Sequence, residues 1–205
     1  MSGFVLNPVG PMKNGVIFFD VSKTASTTTW EIFKPAVKAS NGHQFGMHTP
    51  AKFIKQNYPK VWAKKYAKFT TIRNPYDRFV SHYIKWLSHP EEKVNLTEEK
   101  IRAHILENVY TKLQLEFISD DNGQILADEI LVYENLKSDL QNFLDKCNIP
   151  MNITETLDKV YWQKTENKKD WRSYYDENPG LWEIATKIYE RDILLWKKVS
   201  HLEIV

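Results

Sequence analysis

Regular patterning follows an N-terminal segment, residues 1–14, that Pro8, Gly10 and Pro11 punctuate and that reads as irregular. The GVIFFDV run, Gly15–Val21, is short, apolar and bounded by turn residues, which predicts a buried strand. From about Ser26 the period changes. Trp30, Phe33 and Val37 recur at helical spacing, predicting a helix that Ser40-Asn41-Gly42 stops. Met47–Tyr66 reads as two short helices divided near Pro59. Lys68–Arg73, KFTTIR, is rich in β-branched residues and predicts a second strand, ended by Asn74-Pro75. Tyr76–Ser88 then places Phe79, Tyr83 and Trp86 on one helical face, so a strand-loop-helix unit occurs twice.

Beyond it, Asn95 to about Phe117 reads as one long helix, with Asn95 as its cap and Glu98 in the capping-box relation. Asn122-Gly123 marks a turn, followed by a strand pattern through Ile130, Leu131 and Val132. A helix over Ser138–Cys147, an aromatic-rich connector Tyr161–Trp171 and a last helix from about Pro179 to Trp196 complete the chain. Strands alternating with helices predict an α/β fold, a parallel sheet flanked by helices, in a single domain spanning 1–205.

Composition narrows the function classes. With 42% hydrophobic and 26% charged residues the chain is ordinary globular material, which excludes disorder and fibres. The 28 basic and 26 acidic side chains leave a net charge of +2, so no global field points to nucleic acid or a membrane, and any anion site is local. Cys147, the lone cysteine, excludes an internal disulfide and a cysteine-built zinc site. The N-terminus lacks a signal-peptide pattern, and no run approaches the roughly twenty apolar residues of a membrane span; a cytoplasmic location is expected.

Both strand ends deliver cations. Lys23 stands just before a helix whose first N–H groups lack intrahelical partners and attract anions, and Thr24, Ser26, Thr27 and Thr28 add hydroxyls. The plainer reading is that Ser26 or Thr27 caps the helix while Lys23 is solvated. A Walker A loop does not fit, because the lysine precedes the hydroxyl residues and the loop has no glycine. At the second strand end Arg73 is the last residue and Ser81 lies eight positions on, so guanidinium and hydroxyl can converge on one phosphate. The plainer reading there is a salt bridge of Arg73 or Arg78 with Asp77 or a neighbour.

Taken together, VSKTASTTTW (Val21–Trp30) and TIRNPYDRFVSHY (Thr71–Tyr83) resemble the 5′-phosphosulfate loop and the 3′-phosphate segment of sulfotransferases that use 3′-phosphoadenosine 5′-phosphosulfate. The likeness is closest to the carbohydrate branch that includes the heparan sulfate 2-O-sulfotransferases, with a KTAST loop and a downstream RxPxxRxxSxY pattern. It continues in GMHTPA, in Phe117–Leu136 and in Tyr174–Trp196. The resemblance implies a P-loop-like sheet and sulfuryl transfer to a hydroxyl, on a carbohydrate, with no metal. It implies that Lys23 steadies the leaving oxygen, that Thr24, Ala25, Ser26, Thr27 and Thr28 line the 5′-phosphate, and that Arg73 and Ser81 hold the 3′-phosphate. Lys164 falls where related proteins close a loop over the nucleotide.

Many relatives read H-x-P-K-T before the loop, where this chain has Asp20-Val21-Ser22-Lys23. Asp20 pairs with Lys23, faces the acceptor or points away. A base must take the acceptor's proton, and histidine suits that task. His48, in GMHTPA, occupies the place where the resembling enzymes put a histidine base, with His43 as the fallback. Glu134 ends a strand and reads as a salt-bridge partner or an acceptor contact. A P-loop nucleotide kinase and a non-catalytic nucleotide-binding module are the alternatives.

Overall fold

A five-stranded sheet organises the computed structural model, which describes residues 2–88, 97–108, 111–154, 157 and 169–202. Its strands are β1 (Ser2–Leu6), β2 (Val16–Phe19), β3 (His43–Met47), β4 (Ala67–Ile72) and β5 (Glu129–Val132), in the order β3-β1-β2-β4-β5. β2, β4 and β5 are parallel, in registers that include Phe19↔Thr70 and Ile72↔Val132. They lead into α1 (Ser26–Ala39), α4 (Pro75–Ser88) and α7 (Leu136–Lys146), the last after a short 3-10 turn. β1 runs antiparallel to β2 and to β3. The sheet is therefore mixed, not parallel throughout. The three strands read from the hydrophobic pattern form its parallel part, and two strands that the pattern did not reveal extend it on one side.

Residues 1–14 are accordingly not irregular throughout. Phe4, Val5 and Leu6 are buried, Phe4 and Leu6 in the apolar cluster on one face of the sheet and Val5 in the cluster on the other. Pro8, Gly10 and Pro11 belong only to the connection that returns the chain as β2. Side chains alternate across the sheet as the pleat requires. Phe4, Phe18, Phe69 and Leu131 join Trp30 and Phe33 of α1 and Phe143 of α7 on one face, with the Phe69 and Phe143 rings 4.5 Å apart. Val5, Ile17, Phe19 and Phe45 meet Ile54 of α2 (Ala51–Asn57) on the other, where Trp62 of α3 (Pro59–Trp62) stacks on Phe19.

The long helix expected over Asn95–Phe117 is two helices, α5 (Glu98–Glu107) and α6 (Gln114–Ile118). Asn108 turns extended, and the Thr111 hydroxyl donates to its carbonyl, so the helical path is left there. Thr97 caps α5 by accepting from the Lys100 N–H; Asn95, the expected cap, lies outside the described residues. α8 (Trp171–Asp176) and α9 (Pro179–Ser200) pack against α4 through an aromatic cluster that includes Phe79, Tyr175 and Tyr189. Leu195 and Trp196 of α9, with Phe117 and Ile118 of α6, close over Val21 and Ile72 near the C-terminal ends of β2 and β4. Among the described residues no helix is long and apolar enough to cross a membrane.

Candidate active site

The loop after β2 is wound tightly. Lys23 and Ala25 both have left-handed backbone, at φ 63° and 67°, a conformation that costs a residue with a Cβ about 1–2 kcal/mol. Such strain persists only where the surroundings enforce it. Here the buried Thr24 hydroxyl donates to the Val21 carbonyl at 2.8 Å, while Arg78 donates from Nε to the Ser22 carbonyl and from Nη2 to the Ser22 hydroxyl, each at 3.0 Å. Thr24 can therefore line an anion only through its backbone. Ala25 is the N-cap residue of α1, and among the described residues no side chain caps the helix. The plainer reading of the hydroxyls as caps is thus corrected: among the described residues the 14-residue helix starts without a side-chain cap, next in sequence to an exposed Lys23. Ser26 is buried, and Thr27 and Thr28 are half-buried on the first turn.

At the end of β4, Arg73 makes the salt bridge that the plainer reading of its sequence expects. Its Nε donates to Asp77 Oδ2 at 2.7 Å and Nη2 stands 2.5 Å from the same oxygen, while Nη1 donates to the Lys23 carbonyl at 3.1 Å. The guanidinium also lies over the Tyr133 ring, 4.3 Å from its centroid. Asp77 therefore aims the fork, and the fork holds the loop. Gln114, which the sequence did not single out, clamps the Arg73 backbone by accepting from its N–H and donating to its carbonyl. Ser81 is half-buried on the second turn of α4, and among the described residues no hydrogen bond joins it to Arg73 or the loop. Glu134 accepts from the Asn74 N–H at 2.7 Å and from Trp196 Nε1 at 3.2 Å, which makes it a structural tie between strand ends and α9. Lys164, Tyr161 and Trp162 lie outside the described residues.

His48 follows β3. The register Ser2↔Met47 and Phe4↔Phe18 brings the end of β3 level with the end of β2, so His48 reaches Asp20 across β1. The Asp20 Oδ2 accepts from the His48 backbone N–H at 3.3 Å and stands 3.0 Å from His48 Nδ1. Asp20 thus neither pairs with Lys23 nor points away; its carboxylate, fully buried, turns to His48. One signal in the sequence pointed there: an aspartate closing an apolar strand has to find a partner. His43, the fallback base, pairs with Val5 lower on the sheet, and its ring packs on Phe45 and Tyr58.

The cations share one neighbourhood. His82 places Nε2 3.4 Å from the Ser22 hydroxyl, and its pKa is pushed down to about 2, first by burial and then by Arg78, Lys23, His104 and His48. His82 is therefore neutral at pH 7 and leaves the positive charge to Lys23, Arg73 and Arg78. An uncapped helix start, an exposed lysine on a left-handed turn and a buried, aimed arginine fit a ligand with separate anionic groups. A family model described as "Sulfotransferase family" matches residues 11–198. Searches of the curated proteins and of the solved structures find no match to the chain.

Proposed function

The chain belongs to the sulfotransferase family, and from that membership we propose that it moves a sulfuryl group from 3′-phosphoadenosine 5′-phosphosulfate to a hydroxyl on a carbohydrate. The donor supplies an activated S–O bond, which breaks as the acceptor oxygen attacks sulfur. The Lys23 ammonium stabilises the charge that grows on the departing phosphate oxygen, where a positioned cation contributes most. The first N–H groups of α1, with Ala25, Ser26, Thr27 and Thr28, hold the 5′-phosphate. Arg73 offers the 3′-phosphate the Nη1–H and Nη2–H left beyond its bonds to Asp77 and the Lys23 carbonyl, with Ser81 and Lys164 as further contacts. His48 removes the acceptor's proton. The carbohydrate acceptor rests on the likeness of the KTAST and RxPxxRxxSxY segments to that branch.

The observation that carries this reading is the bond from Arg73 Nη1 to the Lys23 carbonyl, because it links the two anion-binding strand ends into one unit. Calorimetric titration with 3′-phosphoadenosine 5′-phosphate tests it. Arg73→Ala is expected to weaken binding at least tenfold, about 1.4 kcal/mol, whereas Lys23→Ala, which leaves the backbone cradle in place, weakens it less and abolishes sulfuryl transfer. Equal affinity of the wild type and Arg73→Ala would remove the site assignment.

A further inference from the structure

We propose that Asp20 is the positioning residue for His48. It orients the imidazole through Nδ1, so that Nε2 is the nitrogen that receives the acceptor's proton. The inference rests on the sulfotransferase reading for its chemistry, but its geometry stands independently. Asp20 is buried at the C-terminal end of β2, with its side chain 0% exposed, and the His48 side chain is only 11% exposed. An ionised carboxylate in such a place requires a partner. The described structure offers His48 twice, through its backbone N–H at 3.3 Å and its Nδ1 at 3.0 Å. The Nδ1 approach is at contact distance but off the in-line angle of a hydrogen bond, as is common in catalytic pairs before substrate binds. His48 adopts left-handed backbone, φ 50°, so the same carboxylate that faces the ring also holds a strained turn in place.

Among the described residues Asp20 Oδ1 has no hydrogen-bond partner although it is buried. A carboxylate placed only to brace the fold would be expected to use both oxygens. A buried acceptor left unsatisfied calls for an explanation, and a catalytic role is among those such groups have. The step balances. The acceptor oxygen forms the new bond to sulfur, the bond from sulfur to the 5′-phosphate breaks, and its electron pair leaves on the phosphate oxygen beside Lys23. The acceptor proton passes to His48 Nε2, and the resulting imidazolium is stabilised by the Asp20 carboxylate at Nδ1. Without that carboxylate the neutral ring is free to carry its proton on Nε2, where it cannot act as a base. The same logic makes an aspartate-to-asparagine change costly in other Asp-His pairs.

Nitrogen-15 NMR of histidine-labelled protein tests the pairing with no acceptor needed. In the wild type the neutral His48 ring is expected as the Nδ1–H tautomer; in Asp20→Asn it is expected to be mixed or mainly Nε2–H. Sulfuryl transfer from the donor to an unsulfated oligosaccharide panel, together with donor hydrolysis by water, supplies the kinetic arm. Asp20→Asn is expected to lower kcat by about 100-fold or more, with KM for the donor and affinity for 3′-phosphoadenosine 5′-phosphate within about threefold of wild type. A wild-type Nε2–H tautomer overturns the proposal even if the variant fails to fold, and so does a normal kcat in a folded Asp20→Asn protein. An Nδ1–H wild type that does not bind the nucleotide supports the pairing and counts against the sulfotransferase site instead.

Discussion

Beside the loop, His82 lies in contact with the Ser22 hydroxyl and is held neutral by burial, with Arg78, Lys23, His104 and His48 all opposing its protonation. The consequence for stability has a definite sign. In the unfolded chain His82 titrates near its ordinary 6.5, while in the folded protein it stays neutral down to about 2. Below pH 6.5 the unfolded state therefore binds one more proton, and folding stability falls with pH by up to about 1.4 kcal/mol per unit from this group. Urea unfolding between about pH 7 and pH 5 is expected to show a steeper loss for the wild type than for His82→Gln, which has no proton to gain; parallel curves would mean that the histidine is not the source. At this scale Lys23 and Arg73 were legible in the sequence, because a cation at the mouth of a helix or the end of an apolar strand is conspicuous. The Asp77 aim of Arg73 was legible as an alternative. Gln114 was not, because nothing local distinguishes a glutamine that will clamp a backbone 41 residues away.

Among the elements, those that bury a whole face were readable: β2, β4, β5, α1, α4, α7 and α9 carry their hydrophobic periods openly. β3 was not, because it is an edge strand in which only Phe45 is buried and its neighbours are exposed. β1 was hidden by the prolines and glycines that follow it. Missing these two strands also concealed the pairing of Asp20 with His48, which exists only through the register of β3 and β2 on either side of β1. Gly3 makes that register possible. A Cβ there would stand 2.5 Å from the Phe18 carbonyl oxygen and 3.5 Å from the Asp20 amide nitrogen. The first contact is with backbone that cannot turn aside, so Gly3→Ala must displace β1. Thermal unfolding is expected to show a loss of about 1–3 kcal/mol, with the His48 tautomer signature blurred. Nucleotide affinity should hold, because Arg73 and the Lys23 loop sit on the β2–β4 side of the sheet. A Gly3→Ala protein as stable as wild type would mean that β1 does not pack as described.

Across the whole molecule one buried network joins the two halves of the site to the last helix. Asp192 of α9 accepts from the Gln114 and Leu115 N–H groups at 2.7 and 3.0 Å; Gln114 clamps Arg73; and Arg78, 3.9 Å from Asp192, holds the Ser22 carbonyl and hydroxyl and the Lys112 carbonyl. Burial pushes the Asp192 pKa up and the Arg78 pKa down, so each charge is carried against its surroundings and depends on its partners. Removing one member strands the other. Asp192→Ala is expected to destabilise the protein by about 3–5 kcal/mol. It should also weaken binding of 3′-phosphoadenosine 5′-phosphate, because Gln114 loses its anchor and Arg73 its clamp. Replacing both charges, as Arg78→Met with Asp192→Leu, removes the stranded charge but takes partners from the Gln114 and Leu115 N–H groups and the Ser22 and Lys112 carbonyls, so it is expected to restore only part of the stability. It should not restore nucleotide binding, because the loop then lacks the guanidinium that holds Ser22. Unfolding and calorimetry on the three proteins separate the two effects: if affinity returned along with stability in the double variant, Arg78 would be a core residue only, and the left-handed turn at Lys23 would have to be held by other contacts, those of Thr24 and Arg73 among them.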